Sequence, residues 1–133
     1  MTSRAVAAIA FVLVAAATPA VATESIVCSA DGGAASIDVL MGHTAVIAVA
    51  RVWLVDAGGK TWTTDGQPGS TKVIVGQAFE DDERMLIDLT DEGLSSIVAR
   101  LRLVKASEQS SFAMGGTLSI DGVGAWAVTC PEP

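Results

Sequence analysis

The feature that most restricts the fold of this chain is a pair of cysteines near its two ends. Cys28 and Cys130 are the only cysteines among the 133 residues. In an oxidising compartment two such cysteines form a disulfide, whose Cα atoms must lie within about 7 Å of each other. The first and last segments of the fold are therefore predicted to be neighbours. Closing a loop of roughly 100 residues stabilises the folded state by about 4–5 kcal/mol in the chain-entropy model.

The residues around each cysteine indicate that both side chains point into the protein. Ile26 has the same strand parity as Cys28, and Trp126 and Val128 have the same parity as Cys130. Alternate residues of a strand face the same side of a sheet. Both cysteines are therefore predicted to lie in the core.

The first 22 residues have the pattern of a cleaved secretory signal. Arg4 precedes an apolar run at 5–17, Pro19 ends that run, and a small-x-small motif follows at 20–22. The run is shorter than the roughly 20 residues that span a bilayer. We expect cleavage before Thr23, with no membrane insertion of the product. The expected location is the bacterial periplasm or the extracellular space, and residues 23–133 are expected to form a single β-rich domain.

Composition excludes several classes of protein. Hydrophobic residues make up 50% of the chain and charged residues 17%, which is too apolar for a disordered protein. Eight Lys and Arg stand against 15 Asp and Glu, for a formal net charge of −7. A chain this acidic lacks the basic stripe that neutralises phosphates, so nucleic acid is not an expected partner.

Turn signals divide the chain into segments typical of strands. Glycine recurs in doublets or after Asp, for example at 31–33, 58–59 and 121–122, and the intervening residues are rich in Val, Ile, Thr and Trp. The expected fold is all-β and mainly antiparallel, a small sandwich or barrel of about eight strands. We place them at 24–30, 35–41, 44–55, 60–64, 71–79, 84–89, 97–105 and 117–129, the last being a hairpin folded at 121–124.

The segment 45–55 is apolar on both parities apart from Arg51, and its β-branched residues favour a strand over a buried helix. A four-residue loop at 56–59 would then pair Val55 with Lys60 and place Trp53 opposite Trp62. Both indoles are predicted to lie in the core. The alternative is an exposed aromatic pair that binds carbohydrate or protein.

The segment 91–105 fits two patterns. Leu94, Ile97, Val98 and Leu101 match the apolar stripe of a helix. From Ile97 to Leu103, however, apolar residues also occur at every second position, as in a strand. We favour one short helical turn at 91–96 that leads into a strand.

The sequence carries few marks of catalysis. His43 is the only histidine, in a turn at 41–44, and no Gly-x-Ser-x-Gly motif accompanies it. One histidine and two disulfide-bonded cysteines cannot supply a structural zinc site. The run Glu80 to Glu83 lacks the calcium-loop pattern and fits a solvated hairpin tip better. We therefore expect no enzyme activity, no metal and no cofactor.

The expected function is binding of a partner in the bacterial envelope. The acidic charge favours a basic protein, with a contact surface drawn from the loop at 63–70 and from Trp62, Asp65, Glu80, Asp81, Asp82 and Glu83. One alternative is inhibition of a basic secreted enzyme such as lysozyme. In size and class the chain resembles the periplasmic c-type lysozyme inhibitors, small β-barrels held by a disulfide, and no residue roles are carried over from that family. A structural accessory of the envelope is a further alternative, and a small hydrolase ranks last. The oligomeric state stays open.

Overall fold

In the computed structural model, which describes residues 23–132, the chain forms one ten-stranded, mainly antiparallel sheet that is nearly closed into a barrel. The predicted signal segment at 1–22 lies outside the described residues. The strands are β1 Thr23–Ala30, β2 Ala35–His43, β3 Ile47–Asp56, β4 Thr61–Thr63, β5 Thr71–Lys72, β6 Ile74–Glu80, β7 Arg84–Thr90, β8 Ile97–Glu108, β9 Ser111–Ile120 and β10 Gly124–Cys130.

The predicted all-β fold is confirmed, and the number of strands differs for two local reasons. The segment at 117–129 is indeed a hairpin, whose two strands are β9 and β10 with the turn at 121–123. The segment at 71–79 splits at Val73 into β5 and β6. These two strands lie at opposite edges of the sheet order β5-β4-β3-β2-β1-β10-β9-β8-β7-β6. A single extended segment therefore brings the two edges together.

The disulfide joins the first strand to the last. The pairs Ser29–Thr129 and Ala30–Val128 fix the antiparallel register of β1 and β10, and this register places Cys28 opposite Cys130. The two cysteines form a disulfide with their Cα atoms 4.2 Å apart. Both side chains are buried in the core, as their parity predicts.

The core consists of the inward-facing residues of the strands. Alternate positions are buried along β1, β2, β7 and β8, which is the pattern of a sheet with one dry face. The largest fully buried side chains include Ile37, Met41, Leu54, Met85, Ile87, Leu101 and Leu118.

The two tryptophans predicted to face each other lie on opposite faces of the sheet. The amide of Asp56 donates to the carbonyl of Lys60, which leaves residues 57–59 as a three-residue hairpin loop, and Val55 pairs with Thr61 and Leu54 with Trp62. Gly59 has φ +81°, the left-handed conformation that three-residue hairpin loops place at a glycine. A shift of one residue turns a side chain to the other face. Trp62 is therefore 3% exposed in the core, whereas Trp53 is 41% exposed on the outside.

The segment 91–96 is a turn and not the predicted helical turn. The amide of Leu94 donates to the carbonyl of Asp91, and the amide of Asp91 donates to the carbonyl of Ser96. The Asp91 carboxylate accepts hydrogen bonds from the amides and hydroxyls of Ser95 and Ser96. These side-chain bonds offer the backbone an alternative to a helix. The strand that follows, β8, confirms the period-two prediction for 97–105.

Candidate functional site

Titratable residues lie together at one end of the barrel. On several strands, the inward-facing position just beyond the last buried residue is occupied by a charged or polar side chain. Glu24 precedes the buried Ile26, His43 follows the buried Met41, and Lys105 follows the buried Leu103, each by two residues. Glu80, at the end of β6, pairs with the buried Met85, and Glu132 lies two residues after Cys130. We call these five residues the mouth ring: Glu24, His43, Glu80, Lys105 and Glu132.

Glu80 is the centre of this ring. Its Oε1 accepts a hydrogen bond from Lys105 Nζ, and its Oε2 lies 2.7 Å from His43 Nε2. The same Lys105 Nζ donates to the carbonyl oxygen of Asp81 at 3.1 Å. The side chains of Glu80 and Lys105 are only 16% and 14% exposed. One carboxylate thus links strands β2, β6 and β8.

The contacts of Glu80 favour its ionised form. Burial raises the pKa of Glu80, but the hydrogen bonds and charges of Lys105 and His43 more than offset this effect, so the pKa lies below its ordinary value. Glu80 is therefore an anion near neutral pH whose charge is already paired with the Lys105 ammonium.

His43 lies between two carboxylates. Its Nε2 contacts Glu80, and its Nδ1 lies 3.7 Å from Oε2 of Glu24. His43 is the last residue of β2, where the sequence predicted a turn residue, and the turn itself follows at 44–46. The half-exposed ring therefore borders the barrel mouth between these two acids.

Two clefts adjoin each other at this end of the barrel. The first has a volume of about 220 Å³ and combines an apolar floor with a charged rim. Its lining residues are Glu24, Ile26, Glu80, Lys105, Phe112, Met114 and Glu132. The second, of about 370 Å³, shares Glu80 and Lys105 with the first and adds His43, the turn residues 44–47, Asp81 and Asp82.

The acidic run predicted as a contact surface divides into two structural and two exposed residues. Glu80 is the central residue of the mouth ring, bonded to Lys105 and His43 as described above. Asp81 accepts hydrogen bonds from the amides of Glu83 and Arg84 at 2.9 and 2.6 Å and from Arg84 Nη2 at 3.0 Å. The hydrogen bond from the Glu83 amide is the largest of the causes that hold the pKa of Asp81 below its ordinary value. Asp82 and Glu83 are exposed at the tip of the turn.

Two predicted contact residues lie outside the mouth. Trp62 is buried in the core, so its indole is not available as the contact residue that the sequence suggested. Asp65 lies in the loop between β4 and β5, where its carboxylate accepts a hydrogen bond from Gln67 Nε2 at 3.1 Å. That bond is the first of the causes that lower the pKa of Asp65. Neither residue lines the mouth clefts.

Four residues of the site were missed at the sequence level: Glu24, Lys105, Phe112 and Glu132. The signal that could have found them is strand parity. Glu24, Phe112 and Lys105 each extend the inward-facing series of their strand by one further step, Glu132 follows the end of β10, and the barrel brings these positions together at one end.

The composition of the clefts suits the binding of cations. Among residues 23–132, five carboxylates and one ammonium, that of Lys105, line them, and no serine or cysteine does. Within residues 23–132, no three His, Cys, Asp or Glu side chains are grouped so that they could hold a metal ion. The arrangement can attract a positively charged group and cover its apolar part.

Comparisons with known proteins give no relative: no protein-family model matches the chain, and neither a curated protein nor a solved structure matches it. The resemblance in size and class to the periplasmic c-type lysozyme inhibitors therefore stays a prediction. Over the described part of the chain, none of the helices has the length and apolar character that crossing a membrane requires.

Proposed function

We propose that this protein is an exported, non-enzymatic binding protein that captures a basic protein partner through the mouth of its barrel. The observation that carries the proposal is the convergence of five carboxylates around two adjoining clefts at one end of the fold. A predominantly negative surface steers a positively charged partner and raises its association rate.

The apolar residues of the mouth add to this proposal. Ile26 and Met114 are buried at the floor of the first cleft, and Phe112 is half-buried beside them. Charged groups alone give modest affinity because water and salt screen them, whereas burial of apolar surface contributes affinity of its own. A mouth that combines both can hold a partner as well as attract it.

The envelope location rests on separate support. The sequence of residues 1–22 predicts a secretory signal, and the Cys28–Cys130 disulfide is typical of oxidising compartments. Both features are expected of a protein that works in the periplasm or outside the cell.

The experiment is affinity capture from envelope extract on the immobilised, disulfide-bonded protein at low and high salt, with mass spectrometry of the retained proteins. Asp82→Lys with Glu83→Lys reverses two exposed charges beside the mouth without touching Glu80 or Asp81. Glu92→Lys with Asp121→Lys makes the same change in net charge at the opposite end of the barrel.

We expect a basic protein to be retained at low salt, released at high salt and lost with the Asp82/Glu83 variant, while the Glu92/Asp121 variant still retains it. Retention that survives high salt and the reversal at the mouth would contradict the proposal. Equal losses in the two variants would show that net charge alone is responsible, which also contradicts it.

A further inference from the structure

The first cleft is small, and its size indicates the kind of group that enters it. Its volume of about 220 Å³ is below the range of about 300–1,000 Å³ that is usual for drug-sized ligands. A cleft of this size accommodates a single long side chain of a partner protein more readily than a complete organic ligand.

The charges of the cleft divide into paired and available groups. The Lys105 ammonium is bonded to Glu80 and to the Asp81 carbonyl, so these opposite charges offset each other. Among residues 23–132, the ion pairs of Glu24 are limited to one contact of 3.7 Å with the imidazole of His43, and Glu132 makes none. Glu24 and Glu132 are therefore the acids that can receive a cation from outside.

The floor of the cleft is apolar. Ile26 of β1 and Met114 of β9 are buried below the rim. Phe112 lies two residues before Met114 on the same face of β9 and is half-buried, so part of its side chain borders the opening. An aliphatic stem can pack on this floor while its charged end reaches the rim, as long basic side chains do on other apolar surfaces.

We infer that the cleft between Glu24, Phe112 and Glu132 is a receptor for an arginine side chain of the basic partner. This inference rests on the proposed function and specifies the group that is recognised. A guanidinium is planar, stacks on aromatic rings and forms paired hydrogen bonds with carboxylates. A lysine ammonium fits the rim charge but gains less from the ring of Phe112.

The second cleft indicates which residues are expected to flank that arginine in the partner protein. Asp82 lines it next to Glu80 and is exposed, so the negative surface continues along the mouth beyond the first cleft. The Asp81 carboxylate also lines it but is already bonded to Arg84. A further basic residue close to the inserted arginine in the partner would meet Asp82. The recognised element is therefore an arginine within a basic surface.

The test is calorimetric titration of the disulfide-bonded protein with two probes of equal charge, hexaarginine and hexalysine. We expect hexaarginine to bind, and hexalysine to bind at least about fivefold more weakly because it lacks the planar group. The double variant Glu24→Gln with Glu132→Gln is expected to weaken hexaarginine binding about tenfold, since each substitution removes a charge-assisted hydrogen bond. Glu92→Gln with Asp121→Asn removes the same two charges at the far end and is expected to change the affinity less than twofold.

Phe112→Leu tests the ring separately from the charge. The substitution keeps an apolar side chain at the floor, and we expect it to reduce the preference for hexaarginine over hexalysine towards one. Chemical-shift changes at Met114 and Ile26 during the titration would place the probe in the cleft. Circular dichroism of each variant verifies that it is folded before its affinity is compared.

Three results would overturn the inference: no binding of hexaarginine, equal affinity for the two peptides, or equal weakening by the cleft and far-end variants. The proposed function is tested independently of these results. If the protein still captures a basic partner from extract but the Glu24/Glu132 variant captures it equally well, the proposed function stands and the arginine receptor does not. If no basic partner is captured but the affinity for hexaarginine depends on Glu24, Glu132 and Phe112, the proposed function fails and the arginine specificity of the cleft stands.

Discussion

His43 and Glu80 are 37 residues apart in the sequence, yet Nε2 of His43 lies 2.7 Å from Oε2 of Glu80. In the sheet order β2 and β6 are far from being neighbours, so this contact exists only because the sheet curls until its edges approach. The pair therefore reports on the closure of the barrel as well as on the composition of its mouth.

Glu80→Gln is expected to lower the free energy of unfolding by about 1–3 kcal/mol, because the Lys105 ammonium loses its charged partner while it stays mostly buried. Urea denaturation followed by tryptophan fluorescence measures the change. Glu83→Gln provides the control, since it removes an exposed charge from the same acidic turn. Equal effects of the two substitutions would show that the contacts of Glu80 do not stabilise the fold.

Stability is expected to fall as the pH falls below about 4.5, the ordinary pKa of a glutamate. The pKa of Glu80 is lowered in the folded protein, so the unfolded chain binds its proton first on acidification. The stabilisation from Glu80 is therefore complete above the unfolded pKa and is lost as the pH falls through the folded pKa. Urea midpoints at several pH values between 7 and 3 measure this loss. In Glu80→Gln the decrease between pH 5 and 3 should be smaller, and an unchanged decrease would assign it to other acids.

Gly116→Ala is expected to destabilise the protein strongly, whereas Gly93→Ala should change its stability little. A Cβ at Gly116 would lie 1.9 Å from the carbonyl oxygen of Arg102, which is backbone and cannot move aside without disturbing the β8–β9 pairing. At Gly93 the nearest atom is the Ser95 hydroxyl at 3.9 Å, and the backbone has no positive φ there. Thermal unfolding of both variants makes the comparison. Similar melting temperatures would show that β9 can shift to admit a side chain at Gly116.

The sequence was sufficient for the elements governed by local patterns. Many turns follow glycine and aspartate, the strands follow period-two alternation, and two inward-facing cysteines at the ends predicted the β1–β10 disulfide. The turns at 44–46 and 109–110 contain neither residue, and the glycine doublet at 115–116 lies inside β9, so the β8–β9 hairpin extends beyond the predicted strands. What it could not supply was the register between strands. The loop after β3 is one residue shorter than predicted, and that single residue separates Trp53 from Trp62.

The mouth ring shows a second limit of sequence patterns. The alternation of a strand predicts which residues face inward. It does not show whether an inward-facing residue is covered by the core or lies at the open end of the barrel. Lys105 and Glu24 face inward at the barrel end, where the core gives way to solvent, and only the stagger of the strands shows that these ends meet.

The unequal burial of Trp62 and Trp53 leads to a further prediction. Trp62→Ala is expected to cost about 3–5 kcal/mol, because it empties a site in the core that is only 3% exposed. Trp53→Ala should cost less than about 1 kcal/mol, since the indole lies on the outer face. Iodide provides a second measurement: it should quench a smaller share of the fluorescence in Trp53→Ala than in the parent protein. If Trp62→Ala were as mild as Trp53→Ala, Trp62 would not lie in the core. If both substitutions were costly, the predicted register, with both indoles in the core, would be the correct one.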